Sequence, residues 1–153
     1  MGTISAIRLI NINYNNGGIQ IGDETFHLNG VSTLLSLQNG GGKSVLVQMI
    51  TAPFVHKAYR RVKDRPFEDF FTGTRPSFIL IEWMLDGDGG RLMNGFMIQR
   101  RARETAEEGQ EQDTLEILGL ISAYREPCMW DIHNLPVVEK TGKEMKIRQF
   151  SAC

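Results

Sequence analysis

The chain has 153 residues, a formal net charge of −1 and 41% hydrophobic residues, which suits one globular domain with a sizeable core. The balanced charge excludes nucleic-acid binding by the surface as a whole, although it allows a local basic patch. Two cysteines are too few for a disulfide framework, and no N-terminal apolar segment is typical of a signal peptide or a membrane span. We therefore expect a cytoplasmic protein.

Apolar alternation and turn residues divide the chain into a series of short elements. Proline near position 53 is expected to end the first helix. The acid-rich stretch 103–113 predicts a solvated loop or the start of a helix. The predicted elements in chain order are strands at 4–12, 19–21 and 31–37, a helix from 43 to about 52, a hairpin of 77–85 and 91–101, and a strand at 115–124.

The most specific feature is a glycine-rich turn between the third predicted strand and the helix. Consecutive glycines let backbone N–H groups converge on an anion, while a lysine reaches the outer phosphates and a serine hydroxyl binds Mg²⁺. Leu37 stands where the full G-x-x-x-x-G-K-[ST] pattern has its first glycine. The pattern favours a nucleotide phosphate site over a plain turn, formed by Asn39, Gly40, Gly41, Gly42, Lys43 and Ser44.

The order strand, turn, strand, strand, then Asn-Gly-x-Gly-Lys-Ser before a helix resembles the amino-terminal lobe of SMC-like ABC ATPase heads. The strand 7–12 and the segment 70–83 resemble the MukB-like and Wadjet JetC-like branch, within RecF/RecN-type P-loop ATPases more broadly. The resemblance covers most of 4–101. It implies an α/β fold of the P-loop NTPase class. The chain would be an ABC-type head half with a β-rich antiparallel sub-sheet and a helix after the Walker A loop, which is the glycine-rich turn described above. Residues 1–153 would form a single amino-terminal ATP-binding lobe of a longer coiled-coil ATPase, with 102–153 not assigned by the resemblance.

The resemblance also implies a set of ligands and partners. ATP would bind the loop with Mg²⁺ held by Ser44, and Gln149 lies at the distance of the Q-loop glutamine, with Gln99 as its rival. A Walker B acid pair and a signature motif do not occur in the sequence, so a carboxy-terminal lobe and a second head would complete the site. The isolated chain would then bind nucleotide with little hydrolysis, and the whole protein would serve DNA organisation such as chromosome segregation, DNA repair or plasmid defence.

A basic run after the predicted helix is a candidate DNA contact, with a solvated helix face as the alternative interpretation. The run consists of Lys57, Arg60, Arg61 and Lys63, with Arg65 beyond them.

Two other functions remain open from the residues alone. One is a complete small P-loop phosphotransferase, in which Glu82 or Asp86 would serve the metal and Arg100 or Arg101 would act on the transferred group. The other is a nucleotide-binding module without catalysis. The run that ends at Glu82 imitates a Walker B strand, but the acid is followed by Trp83, so an ordinary buried strand is favoured.

Overall fold

The computed structural model describes residues 2–14, 19–31, 43–56, 67–71, 73–87, 89–104, 111–142 and 144–148. Two short 3-10 helices, Ala52–Phe54 and Phe67–Phe70, accompany one α-helix among these residues. The strands and the helix are β1 (Thr3–Tyr14), β2 (Ile19–His27), α1 (Lys43–Thr51), β3 (Ser77–Met84), β4 (Arg91–Glu104), β5 (Glu111–Tyr124), β6 (Val138–Thr141) and β7 (Glu144–Ile147).

The centre of the structure is a five-stranded sheet with the order β2-β1-β3-β4-β5. Every pair of neighbours in it is antiparallel, and β6 pairs antiparallel with β7 in a separate small sheet. The predicted hairpin is confirmed by β3 and β4, and the strand predicted at 115–124 is confirmed as the longer β5. The strand predicted at 31–37 lies mostly outside the described residues.

The predicted α/β fold class is wrong. A P-loop NTPase fold of that class is expected to contain parallel strands joined by helical crossovers, whereas the described strands are all antiparallel and β3, β4 and β5 follow one another as hairpin neighbours. The helix α1 does begin at Lys43, but a single helix beside an antiparallel sheet does not make an α/β protein. The glycine motif is a local signal, and it does not determine how distant strands pair.

One side of the sheet, here called the helix face, is covered by α1 and the two 3-10 helices. Leu46 and Met49 of α1 and three phenylalanines of the 67–71 segment form a buried cluster with the sheet. The sheet contributes Ile7, Leu9, Ile12, Ile79 and Ile98 to this cluster.

The opposite side, here called the loop face, is covered by residues 131–138. Ile132, Leu135 and Val137 are buried there at 5% exposure or less. They lie against a row of strand residues: Ala6, Ile10, Phe78, Leu80, Met93 and Met97. Burial on both faces explains why β3 carries a continuous apolar run instead of an alternating one.

A local irregularity in β1 keeps its apolar residues in the core. Asn11 has a φ of 55°, in the left-handed region that asparagine tolerates better than most residues. Its side chain donates to the carbonyl oxygens of Arg75 and Pro76, both at 3.2 Å. Beyond Asn11 the alternation changes, so that Ile12 joins the same cluster as Leu9.

Candidate functional site

The predicted phosphate loop meets the described structure at the start of α1. Residues 39–42 lie outside the described residues, whereas Lys43 and Ser44 are the first two residues of the nine-residue helix. The first N–H groups of an α-helix have no acceptor within the helix, and the helix dipole places partial positive charge there. The motif therefore ends where the backbone is best suited to an anion.

Core packing sets the position of this helix. Leu46, Met49 and Ala52 are spaced by three residues and are all buried in the helix-face cluster, as expected for one stripe of a helix. Val47 points away from the sheet and is 58% exposed. Pro53 lies in the following 3-10 helix, where its ring prevents the α-helix from continuing. The N-terminus of α1 is thus held in place by the apolar contacts of its own body.

Nine of the predicted site residues lie outside the described residues, and their roles stay predictions. These nine are residues 39–42 of the loop together with Lys57, Arg60, Arg61, Lys63 and Gln149. Gln99, the rival for the Q-loop, is buried in β4 on the same side as Met97, which belongs to the loop face. Its Nε2 donates to the carbonyl oxygen of Thr74 at 3.0 Å. The helix α1 packs on the other face of the sheet, and a role of Gln99 in binding Mg²⁺ stays a prediction.

The two arginines considered for phosphoryl transfer have structural partners. Arg100 donates to the carbonyl oxygens of Phe71 at 3.1 Å and Glu68 at 2.8 Å. Arg101 Nε lies 2.5 Å from the Glu116 carboxylate. These contacts tie the 67–71 segment to β4, and β4 to β5.

A polar cluster that the sequence analysis did not predict surrounds the buried Glu82 on the loop face. The pairing of β1 with β3 shifts by one residue at Ser5, since Ile4 pairs with Trp83 whereas Ala6 pairs with Glu82. A bulge of this kind re-aims a side chain, and Ser5 Oγ donates to the Glu82 carboxylate.

Two further donors reach the same carboxylate from β4 and β5. Arg91 Nη1 lies 2.9 Å from Oε1 of Glu82, and the Tyr124 hydroxyl donates to Oε2. The Tyr124 oxygen in turn accepts the N–H of Ile132 at 3.1 Å. A carboxylate that is only 3% exposed therefore connects β1, β3, β4 and β5 with the loop that follows them.

These contacts set the charge states within the Glu82 cluster. Burial by itself would raise the pKa of Glu82, but hydrogen bonds from Ser5, Tyr124 and Arg91 and the charge of Arg91 lower it below the ordinary value of 4.5. Burial and the hydrogen bond to Glu82 raise the pKa of Tyr124 far above its ordinary range. Glu82 is therefore ionised and Tyr124 protonated at neutral pH. With three donors already on its oxygens, Glu82 is better suited to holding strands together than to proton transfer.

Asp131 orders the loop that covers this cluster. Its carboxylate accepts the backbone N–H groups of Cys128 at 2.9 Å, His133 at 2.9 Å and Asn134 at 2.7 Å. Burial opposes ionisation of Asp131, yet these hydrogen bonds outweigh burial and lower its pKa below the ordinary value. The loop is thus built around a single anion.

Arg8 fastens the same loop to the sheet. Its guanidinium binds Asp23 of β2 through two hydrogen bonds, at 2.9 and 3.0 Å. The Nη1 group also donates to the carbonyl oxygens of Ile132 at 2.9 Å and Leu135 at 3.3 Å. The bidentate pairing that only arginine provides leaves donors for the loop backbone.

A cleft of about 360 Å³ opens beside the Glu82 cluster. Its lining includes His27 and His133, whose rings stack with centroids 5.1 Å apart, and the oppositely charged Arg125 and Glu126. Within the described ranges, no group of three or more histidine, cysteine or acidic residues is arranged to hold a metal ion. The mixed charge of the lining favours neither an anion nor a cation.

One signal in the sequence points toward the Glu82 cluster. An acid directly after the run Phe78–Ile81 is expected to be buried and therefore to need partners. Ser5 and Tyr124 lie 77 and 42 residues away in the chain, and no local pattern marks either of them as that partner.

Comparison of the chain with protein-family models, with curated proteins and with solved structures found no match. Among the residues that the structure covers, no helix is both long enough and apolar enough to cross a membrane.

Proposed function

We propose that this chain binds the phosphates of ATP with Mg²⁺ and forms the ATP-binding half of an SMC-like ATPase head. The observation that carries the proposal is that α1 is described from Lys43 onward, directly after three glycines in the sequence. The glycines allow backbone N–H groups to face the phosphates, the helix start adds partial positive charge, and Ser44 supplies a hydroxyl for the metal. Phosphate binding is local to such a junction, so this part of the proposal does not depend on a parallel sheet.

Hydrolysis requires groups that the described residues do not supply. Glu82 is already bound by three donors, and Asp86 lies exposed in the turn between β3 and β4. A carboxy-terminal lobe would provide the acidic metal ligand and the base, and a second head would contact the γ-phosphate on ATP engagement. DNA is the proposed substrate of the complete protein in the cytoplasm, serving chromosome organisation, repair or plasmid defence.

Calorimetric titration of the chain with ATP and Mg²⁺ tests the phosphate site. Lys43→Ala is expected to weaken ATP binding by about 10- to 100-fold, since a charge-assisted hydrogen bond contributes about 1.5–3 kcal/mol. Lys140→Ala, at an exposed position of β6, removes the same charge elsewhere and is expected to leave the affinity unchanged. Absence of ATP binding by the unaltered chain, or equal affinity in the Lys43→Ala variant, would refute the phosphate site.

A second titration addresses the metal. In Ser44→Ala the enhancement of ATP binding by Mg²⁺ is expected to be largely lost, while binding of ATP without metal is retained. An undiminished Mg²⁺ effect in this variant would remove Ser44 from the proposed coordination.

The phosphotransferase alternative is disfavoured by the partners of Arg100, Arg101 and Glu82. Transfer of phosphate from ATP to a small acceptor by the isolated chain would nevertheless favour it over the half-head. Stimulation of ATP hydrolysis by a separately produced carboxy-terminal lobe would favour the half-head, and tight binding without such stimulation would favour a module without catalysis.

A further inference from the structure

The outer edge of the five-stranded sheet is formed by β5. This strand has 14 residues, and within the described residues it pairs on one side only, with β4. A long edge strand offers a row of backbone donors and acceptors to another chain. Two large apolar side chains on this strand face solvent, Ile121 at 75% exposure and Ile117 at 36%. A long, partly apolar edge is the sheet feature that monomeric proteins usually avoid.

The middle of β5 reads Ile117-Leu118-Gly119-Leu120-Ile121, which is the same in both directions. If two copies of β5 pair antiparallel about a two-fold axis at Gly119, each isoleucine lies opposite an isoleucine and each leucine opposite a leucine. Opposed residues in such a ladder share a face, so the exposed isoleucines of both copies meet on the helix face. The neighbouring allowed registers, shifted by two residues, place an isoleucine opposite Gly119 instead.

Gly119 is not required by the fold of one copy. A Cβ atom at this position would meet nothing within 4 Å, and its φ lies outside the left-handed region. Glycine in a strand otherwise weakens it, and it is often found where another backbone approaches closely. A position on the two-fold axis is such a place, because the two Gly119 residues face one another there.

Charge is compatible with this register. Glu116 is the charged residue within 115–124, and it lies opposite Ser122 of the other copy instead of opposite another acid. Its carboxylate already pairs with Arg101 of its own chain at 2.5 Å. No like charges from this segment of β5 therefore meet across the axis.

We propose that the partner of this edge is a second copy of the chain, which pairs with it through β5 about a two-fold axis at Gly119. The pairing joins two five-stranded sheets into one continuous sheet and closes a symmetric dimer. It goes beyond the proposed ATP site, because α1 packs on the central strands and the pairing needs no nucleotide.

Light scattering after size-exclusion chromatography tests the proposal, over protein concentrations from micromolar to millimolar and without nucleotide. The unaltered chain is expected to reach twice the 17.3 kDa mass of one copy. Gly119→Lys and Gly119→Glu are each expected to remain single copies, because like charges would meet on the axis. An equimolar mixture of the two variants is expected to recover the doubled mass through Lys–Glu pairing.

Gln20→Lys places the same charge at an exposed position of β2, the opposite edge strand, and is expected to keep the dimer. Circular dichroism identifies any variant that fails to fold, and Ile121→Thr then serves as a milder change, expected to weaken association about tenfold. A mass of one copy at every concentration, an intact dimer in Gly119→Lys, an open-ended polymer, or a stable complex of β5 with a different lobe would each overturn the proposal. ATP affinity, measured separately, distinguishes this result from failure of the phosphate site.

Discussion

Replacing Gly95 with alanine is expected to destabilise the sheet strongly. Gly95 lies in the middle of β4, where it pairs with Leu80 of β3 and Leu120 of β5. A Cβ atom there would lie 1.9 Å from the carbonyl oxygen of Ile79 and 3.0 Å from Leu80 Cα. Both of these atoms belong to backbone, so no side-chain rotation relieves the contact.

The geometry gives the size of the effect. An ordinary contact begins at 3.4 Å, so β3 and β4 would have to separate locally by roughly 1.5 Å, the difference between 3.4 and 1.9 Å. A ladder hydrogen bond of about 2.9 Å would then exceed about 4 Å and be lost. Losing about three such bonds at about 1 kcal/mol each, with some disturbance of the core, lowers the free energy of unfolding by about 3–5 kcal/mol.

Urea denaturation followed by circular dichroism measures this loss. With a slope of about 2 kcal/mol per molar urea, the midpoint of Gly95→Ala is expected to fall by about 1.5–2.5 M. Gly22→Ala is the matched control, because its Cβ would meet only the end of the Met145 side chain at 3.9 Å, and it is expected to change stability by less than about 1 kcal/mol. A shift below about 0.5 M in Gly95→Ala would refute the close approach of β3 and β4.

Three further predictions concern the polar groups of the loop face. The pKa of Glu82 is lowered in the folded protein. Ionised Glu82 therefore stabilises the fold fully at pH values above its ordinary pKa of 4.5. This stabilisation is lost as the pH falls through the pKa that Glu82 has in the folded protein. Glu82→Gln is therefore expected to be less stable than the unaltered chain at neutral pH. Its free energy of unfolding, measured in urea titrations, is expected to fall less steeply between about pH 5 and pH 3. An equal dependence of the free energy of unfolding on pH in both proteins would contradict this. Tyr124→Phe is expected to cost about 1–3 kcal/mol in thermal unfolding, because Glu82 loses a donor and the Ile132 N–H loses its acceptor. Arg8→Met is expected to cost about 3–5 kcal/mol, because Asp23 is left without its partner. Hydrogen exchange should also accelerate at residues 131–137 in the Arg8 variant, and unchanged protection there would argue against Arg8 as the anchor of that loop.

Local patterns predicted several elements well. The glycine-rich turn at 86–90 between two apolar runs predicts the β3–β4 hairpin, since turn chemistry and alternation act over a few residues. The start of α1 at Lys43 and its end before Pro53 follow from the same kind of short-range information. The fold class was not predictable in this way. The motif around Lys43 is a local signal, whereas the antiparallel pairing of β1 with β3 joins residues more than 60 positions apart.

The Glu82 cluster shows the same division at the level of a site. Its acid could be noticed in the sequence because it directly follows a buried run. Its partners could not, since a bulge at Ser5 and the pairing of β4 with β5 bring the donors to it.

The sequence by itself determined the helix that follows the glycine-lysine-serine motif, the hairpin of β3 and β4 and the apolar runs of the core, because each depends on residues close together in the chain. Only the tertiary structure decided that the sheet is antiparallel, that Glu82 is held by three strands, and that β5 lies at an outer edge with two isoleucines exposed. Strand order and edge position depend on which distant segments bury each other's apolar surface, and this choice is made by the free energy of the whole chain and not by any segment of it.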